Sequence, residues 1–112
     1  EFYRECFESL APEGILVAQT ESPFFNKELI ARAFRAIAAV FPVSRLYLAS
    51  VPTYPSGLWS FSLGSKGPDP LDVEPDLTGI ETRYYTPGIH KAAFQLPRFV
   101  QELIETDTNG GG

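Results

Sequence analysis

One cysteine, Cys6, and one histidine, His90, are all that these 112 residues supply of the side chains that make disulfides, thiolate zinc sites and imidazole catalysis. An internal disulfide and a multi-cysteine zinc site are therefore excluded, and the shortage favours a reducing compartment. His90 has no cysteine or histidine partner, and no serine or cysteine at a recognisable triad spacing, so it reads as structural. Cys6 reads as a small buried apolar residue on a helix. No apolar run approaches the roughly 18 residues of a membrane span, and no basic n-region with a following h-region opens the chain. No Gly-x-Gly-x-x-Gly or other phosphate-cradling loop occurs. Nine bases face fourteen acids, a net charge of −5. That balance argues against a nucleic-acid or anionic-membrane surface and is compatible with cationic partners. The expectation is a soluble, cytoplasmic protein.

What is present suffices for one domain with a real core, since 44% of the residues are hydrophobic and 13% aromatic. The stretch from Ser50 to Phe61, Ser-Val-Pro-Thr-Tyr-Pro-Ser-Gly-Leu-Trp-Ser-Phe, organises the rest. It contains the only tryptophan, Trp59, and two of the ten prolines. Pro52 and Pro55 fix φ and bias the residues before them, so Thr53 and Tyr54 have little freedom. Tyr54 is thus presented rigidly, either to a ligand or over the edge of the core.

Residues 1–11 place Tyr3, Cys6, Phe7 and Leu10 on one helical stripe that Pro12 and Gly14 stop. Position one is already inside that pattern without a cap, so the sequence is expected to begin within a larger fold. Ile15-Leu16-Val17-Ala18 reads as a strand buried on both faces in a parallel sheet. Gln19-Thr20-Glu21 ends it with polar groups at the carboxyl end, where open α/β sheets bind ligands, although the same residues could simply solvate a loop. Asn26 is a plausible N-cap for a helix from Lys27 to about Phe41, with Ile30, Ala33, Phe34, Ile37 and Phe41 buried. Residues 45–51 and 58–63 read as strands. Only six residues separate them, so they pair as an antiparallel hairpin, and the last strand runs against the others. Residues 66–79, rich in proline and acids without periodicity, read as a solvated surface excursion. Order returns at 80–85; Thr86 then caps and Pro87 starts a short helix through Phe94. Pro97 opens a last helix with Phe99, Val100, Leu103 and Ile104 on one side, and a glycine tail follows.

Taken in order, Phe2-Tyr3, Val17-Ala18-Gln19-Thr20-Glu21-Ser22-Pro23, Phe41-Pro42, Pro52-Thr53-Tyr54-Pro55-Ser56-Gly57, Tyr84-Tyr85, Ile89-His90-Lys91-Ala92-Ala93-Phe94 and Leu96-Pro97 resemble the C-terminal part of the spermidine synthase, or polyamine aminopropyltransferase, family. The resemblance covers residues 1–105, with 67–79 as a surface loop and 106–112 as a flexible tail. It implies an α/β fold, the C-terminal part of a class I methyltransferase-like (Rossmann-like) sheet that ends in the antiparallel hairpin and is followed by C-terminal helices. It also implies transfer of an aminopropyl group from decarboxylated S-adenosylmethionine to a diamine, usually putrescine, with spermidine and methylthioadenosine as products. By resemblance, Gln19, Glu21 and Tyr54 line the diamine pocket, whereas Trp59 packs below the loop without a substrate contact. The glycine-rich cofactor loop and the catalytic aspartates of the family have no counterpart here. The chain is accordingly expected to carry no catalytic, cofactor or metal residue and to be inactive alone. The full-length protein is expected to be a homo-oligomer. Two other readings stay open: a related transferase with another acceptor (agmatine, a longer polyamine) or a methyl donor, and a non-catalytic polyamine-binding or oligomerisation module.

Overall fold

The computed structural model describes residues 1–105, and the tail expected over 106–112 lies outside the described residues. The elements follow as α1 (Phe2–Ser9), β1 (Ile15–Glu21), α2 (Lys27–Ala38), β2 (Val43–Ser50), β3 (Leu58–Ser65), a single 3-10 turn (Pro70–Asp72), α3 (Pro87–Ala93) and α4 (Arg98–Glu105). The strands form one sheet in the order β1-β3-β2, with β3 antiparallel to both neighbours. The expected hairpin and the reversed last strand are both there.

β1 departs from expectation. It extends through Gln19, Thr20 and Glu21, and among the described residues its one pairing is antiparallel, with β3. Within residues 1–105, Ile15 and Val17 are 44% and 45% exposed on one face. Among the described residues, helices pack on the face of β1 that carries Leu16, Ala18 and Thr20.

β3 occupies the middle of the sheet. Its face toward α2 carries Ser60, Ser62 and Gly64, with both serines fully buried. A Cβ on Gly64 would lie 2.7 Å from the Phe41 ring and 2.8 Å from Ile37, so the helix side of the strand has no room for a larger residue. Small side chains here let α2 approach closely enough to bury Ile30 and Ile37 completely, each worth about 1.5–3 kcal/mol relative to exposure. Ile30 joins Leu46 of β2 and Val100 of α4 in the core, flanked by Phe34, Leu48, Leu96 and Phe99. α2 ends at Ala38 rather than near Phe41; Phe41 is buried beyond it and meets Phe7 of α1 edge-on at 5.2 Å between ring centroids. Cys6 on α1 is half-buried rather than buried.

On the opposite face, Tyr47 of β2 stacks on Phe61 of β3 and meets Phe94 beyond α3, at 5.0 and 5.3 Å. Burial pushes the Tyr47 phenol above its ordinary pKa. Thr86 caps α3 as expected, accepting from the Ile89 N–H at 3.0 Å, with Pro87 in the first turn. Residues 80–85 form neither helix nor strand, and Ile80 and Tyr84 are exposed there.

The proline-rich excursion is anchored rather than merely solvated. Asp69 accepts a two-pronged contact from the Arg45 guanidinium at 3.1 and 2.5 Å, and also accepts from the Leu71 N–H that opens the 3-10 turn. The Pro70 carbonyl, buried with its residue, receives the Nε2–H of His90 at 2.7 Å, which leaves Nδ1 to accept from the Tyr85 hydroxyl at 2.6 Å. His90 therefore spends both ring nitrogens on the fold.

Two outcomes follow. Gly64→Ala in the intact protein should lower stability by about 1–3 kcal/mol, read from the urea midpoint, because the added methyl meets Phe41 and Ile37. The hydrogen bonds from Arg45 and Leu71 hold the Asp69 carboxyl below its ordinary pKa of 3.8. A depressed acid stabilises fully above its unfolded value and loses that contribution as pH falls through the lower native value. Thermal melts from pH 6 down to about 2 should show this loss, and Asp69→Asn should flatten it.

Candidate functional site

The loop of residues 51–57 is built from two successive turns, each with a proline in second position. Tyr54 N–H donates to the Val51 carbonyl at 2.9 Å, and Gly57 N–H donates to the Tyr54 carbonyl at 3.0 Å. In the second turn Ser56 takes φ of +71° and Gly57 φ of +72°. A serine in the left-handed region is strained. Its hydroxyl makes compensating contacts, 2.9 Å to Ser22 Oγ and 3.2 Å to the Leu58 carbonyl.

Ser22 follows β1 directly, so that hydroxyl contact fastens the loop to the carboxyl end of the edge strand. A second tie lies one residue earlier, where Ser60 Oγ donates to the Glu21 carbonyl at 2.8 Å. Here the register passes from Gln19 opposite Phe61 to Glu21 opposite Ser60, so Thr20 is the extra residue of a β-bulge. The bulge turns Glu21 into a left-handed conformation, φ +70°.

Each residue picked out from the sequence has a definite place. Gln19 is exposed on β1 and directly opposite Phe61, hence on the face that also carries Trp59. Glu21 is exposed as the last residue of β1, and its carboxylate accepts from Asn26 Nδ2 at 2.5 Å. Asn26 stands at the N-cap position of α2 but makes no capping bond with its side chain. Tyr54 is 37% exposed, with its ring 4.4 Å from that of Trp59 and tilted by 54°. Trp59 thus lies under the loop, as expected, and its indole Nε1 is buried with no hydrogen-bond partner among the described residues. The two ties bring Glu21 and the Tyr54 loop to the same end of the sheet.

A separate, largely apolar cavity of about 340 Å³ is lined by Tyr47, Tyr84, Tyr85, His90 and Phe94 among others, and none of Gln19, Glu21 and Tyr54 faces it. Among the described residues no cluster of three or more His, Cys, Asp or Glu is arranged to hold a metal ion. No helix there is long and apolar enough to cross a membrane.

The spermine/spermidine synthase domain family matches residues 1–73. The chain belongs to that family. It is 55% identical over 105 residues to the polyamine aminopropyltransferase of Caldicellulosiruptor bescii, covering 93% of this chain and 38% of that protein. It is 58% identical over 106 residues to the polyamine aminopropyltransferase of Moorella thermoacetica, covering 94% and 38%. Among solved structures, the spermidine synthase of Thermotoga maritima superposes with a TM-score of 0.87 at 38% identity, covering 94% of this chain and 39% of that one. A spermidine synthase in complex with the transition-state analogue AdoDATO matches equally, at 0.87 and 38%. The α/β architecture with its terminal hairpin and C-terminal helices is therefore that of the family. The chain spans about 38% of the length of the curated relatives it matches.

Thr20, read from the sequence with Gln19 and Glu21 as a polar group of the strand end, is buried and bonds inward to Ser60 and Ser62, whose hydroxyls, like those of Ser22 and Ser56, the sequence did not single out. Small polar residues in a strand read as a solvated face until the strand is known to be central.

Ser56→Ala keeps the positive φ and removes both compensating contacts, so the intact protein should lose about 1–2 kcal/mol in denaturant unfolding.

Proposed function

We propose that this chain forms one wall of the diamine site of a polyamine aminopropyltransferase, with Gln19, Glu21 and Tyr54 as its substrate-facing groups. The observation that carries this reading is the fastening of the Tyr54 loop to the end of β1 through Ser22–Ser56, beside the bond by which Ser60 of β3 holds Glu21, in a chain whose relatives are polyamine aminopropyltransferases.

The chemistry asked of the intact enzyme is displacement at carbon. The lone pair of a neutral amine on putrescine attacks the propyl carbon bonded to the sulfonium of decarboxylated S-adenosylmethionine. A C–N bond forms as the C–S bond breaks, and the bonding pair leaves with sulfur as neutral methylthioadenosine. The new secondary ammonium releases a proton and spermidine results. A diamine placed for this reaction needs one end held as a cation and the other oriented without being locked in an ion pair. Glu21 suits the first task, because a carboxylate accepts strong charge-assisted hydrogen bonds from an ammonium. Gln19 and Tyr54 suit the second, since a carbonyl oxygen and a phenol accept without bringing a charge. Tyr54 brings an additional advantage: two proline turns and the Trp59 ring restrict it before substrate arrives, which lowers the ordering cost of binding.

None of these groups is assigned to remove the proton or to grip the adenosine; both tasks are left to the portion of the relatives beyond this 38%. In the intact enzyme, decarboxylated S-adenosylmethionine is the co-substrate and a homo-oligomer is the expected assembly.

Incubating the intact protein with putrescine and decarboxylated S-adenosylmethionine should yield spermidine and methylthioadenosine in equal amounts by mass spectrometry, while the 112-residue stretch alone yields neither. Tyr54→Phe should raise the putrescine KM by about fivefold, roughly one lost hydrogen bond to a neutral amine, and leave the KM for the sulfonium substrate unchanged. An unchanged putrescine KM would remove Tyr54 from the site.

A further inference from the structure

The hydroxyls behind the strand end form a directed chain. Ser60 Oγ donates to the Glu21 carbonyl at 2.8 Å, an acceptor with no proton to give back. With its single proton committed there, Ser60 must accept in its 2.7 Å contact with Thr20, so Thr20 is the donor. Thr20, having spent its proton, must in turn accept from Ser62 at 3.2 Å. Three buried hydroxyls thus point the same way, Ser62 to Thr20 to Ser60, and end on the backbone of one residue. Thr20 is 2% exposed and both serines 0%, so solvent does not compete for these bonds.

The residue at the end of the chain has an unusual conformation. Glu21 carries a Cβ and a long side chain, yet its φ is +70°. Such a residue gains nothing locally from the left-handed region and stays there only where its surroundings over-determine it. The Ser60 hydroxyl holds its carbonyl from the helix side of the sheet, and Ser60 is also the β3 partner of Glu21 across the bulge.

We propose that Ser60 is a positioning residue for diamine recognition: by holding the Glu21 carbonyl it keeps that residue in its left-handed conformation and so aims the carboxylate. This rests on the reading of Glu21 as a diamine-facing group. Ser60 itself is fully buried and acts through Glu21 rather than on the substrate.

The test uses steady-state kinetics of the intact enzyme with three variants. Ser60→Ala removes the bond to Glu21. Ser62→Ala removes the far end of the same chain, from an equally buried serine, and leaves that bond in place. Glu21→Gln tests the reading beneath. The expected result is a putrescine KM raised about fivefold or more in Ser60→Ala, with kcat and the KM for decarboxylated S-adenosylmethionine within about twofold, and a lower melting temperature but unaltered putrescine KM in Ser62→Ala. A purely structural role for Ser60 would lower the melting temperature in both serine variants and move neither KM. That outcome, with Glu21→Gln still raising the putrescine KM, overturns the proposal and leaves the site reading intact. An unchanged putrescine KM in Glu21→Gln overturns the site reading and the proposal with it. If Ser60→Ala does not accumulate as folded protein, Ser60→Cys supplies the same comparison, because a thiol is only a weak donor.

Discussion

The close approach of α2 to the central strand is the constraint on which the rest of this structure depends. β3 lies between two antiparallel neighbours, and its helix-facing positions must be small for Ile30, Ile37 and Phe41 to close over them. Gly64 meets that demand without a side chain, whereas Ser60 and Ser62 meet it with hydroxyls that then lie in an apolar interior. A buried hydroxyl without a partner would cost about 1–3 kcal/mol, and both of these bond to Thr20, Ser60 donating onward to the Glu21 carbonyl. Packing and site geometry are thereby joined. The same two serines that admit the helix also belong to a chain of hydrogen bonds that reaches the strand end at Glu21.

Strain is concentrated at that end. Glu21 and Ser56 are the positive-φ residues other than glycine among those described, and they belong to adjoining segments, the bulged end of β1 and the second proline turn. Each conformation costs on the order of 1–2 kcal/mol. Each is offset by a serine hydroxyl, Ser60 on the Glu21 carbonyl and Ser56 itself on Ser22. Such an arrangement holds a loop and a strand end in one relative placement without a large interface between them. The far side of the molecule follows a different logic: Arg45–Asp69 and His90–Pro70 pin the proline-rich excursion to β2 and α3, leaving an aromatic-lined cavity rather than a polar one.

Local chemistry was legible in the letters wherever one residue type decides the outcome. Pro52 and Pro55 announced the stiff turns, Thr86-Pro87 the start of α3, and the short gap between two apolar runs the hairpin. The family could be read from motif order, because the strand end at Gln19, Pro-Thr-Tyr-Pro-Ser-Gly and Tyr84-Tyr85 stand in that order in one chain. What stayed hidden depends on which strand lies between which. Nothing local shows that β3 inserts between β1 and β2. The bulge at Thr20, the positive φ of Glu21 and the buried state of Ser60 and Ser62 all follow from that insertion. Asp69 was hidden for a related reason, since its partner Arg45 lies on a different element, 24 residues away.

Trp59 gives this geometry an optical consequence. It is the only indole in the 112 residues, its ring lies 4.4 Å from that of Tyr54, and its N–H is shielded from water without a fixed acceptor. The emission of an indole shifts with the polarity around it and with charges placed near its ring. Within this stretch, intrinsic tryptophan fluorescence therefore comes from a single point directly beneath the proline loop, and a cation arriving at Tyr54 enters the field of that fluorophore. The packing that stiffens the loop also places a built-in reporter against it.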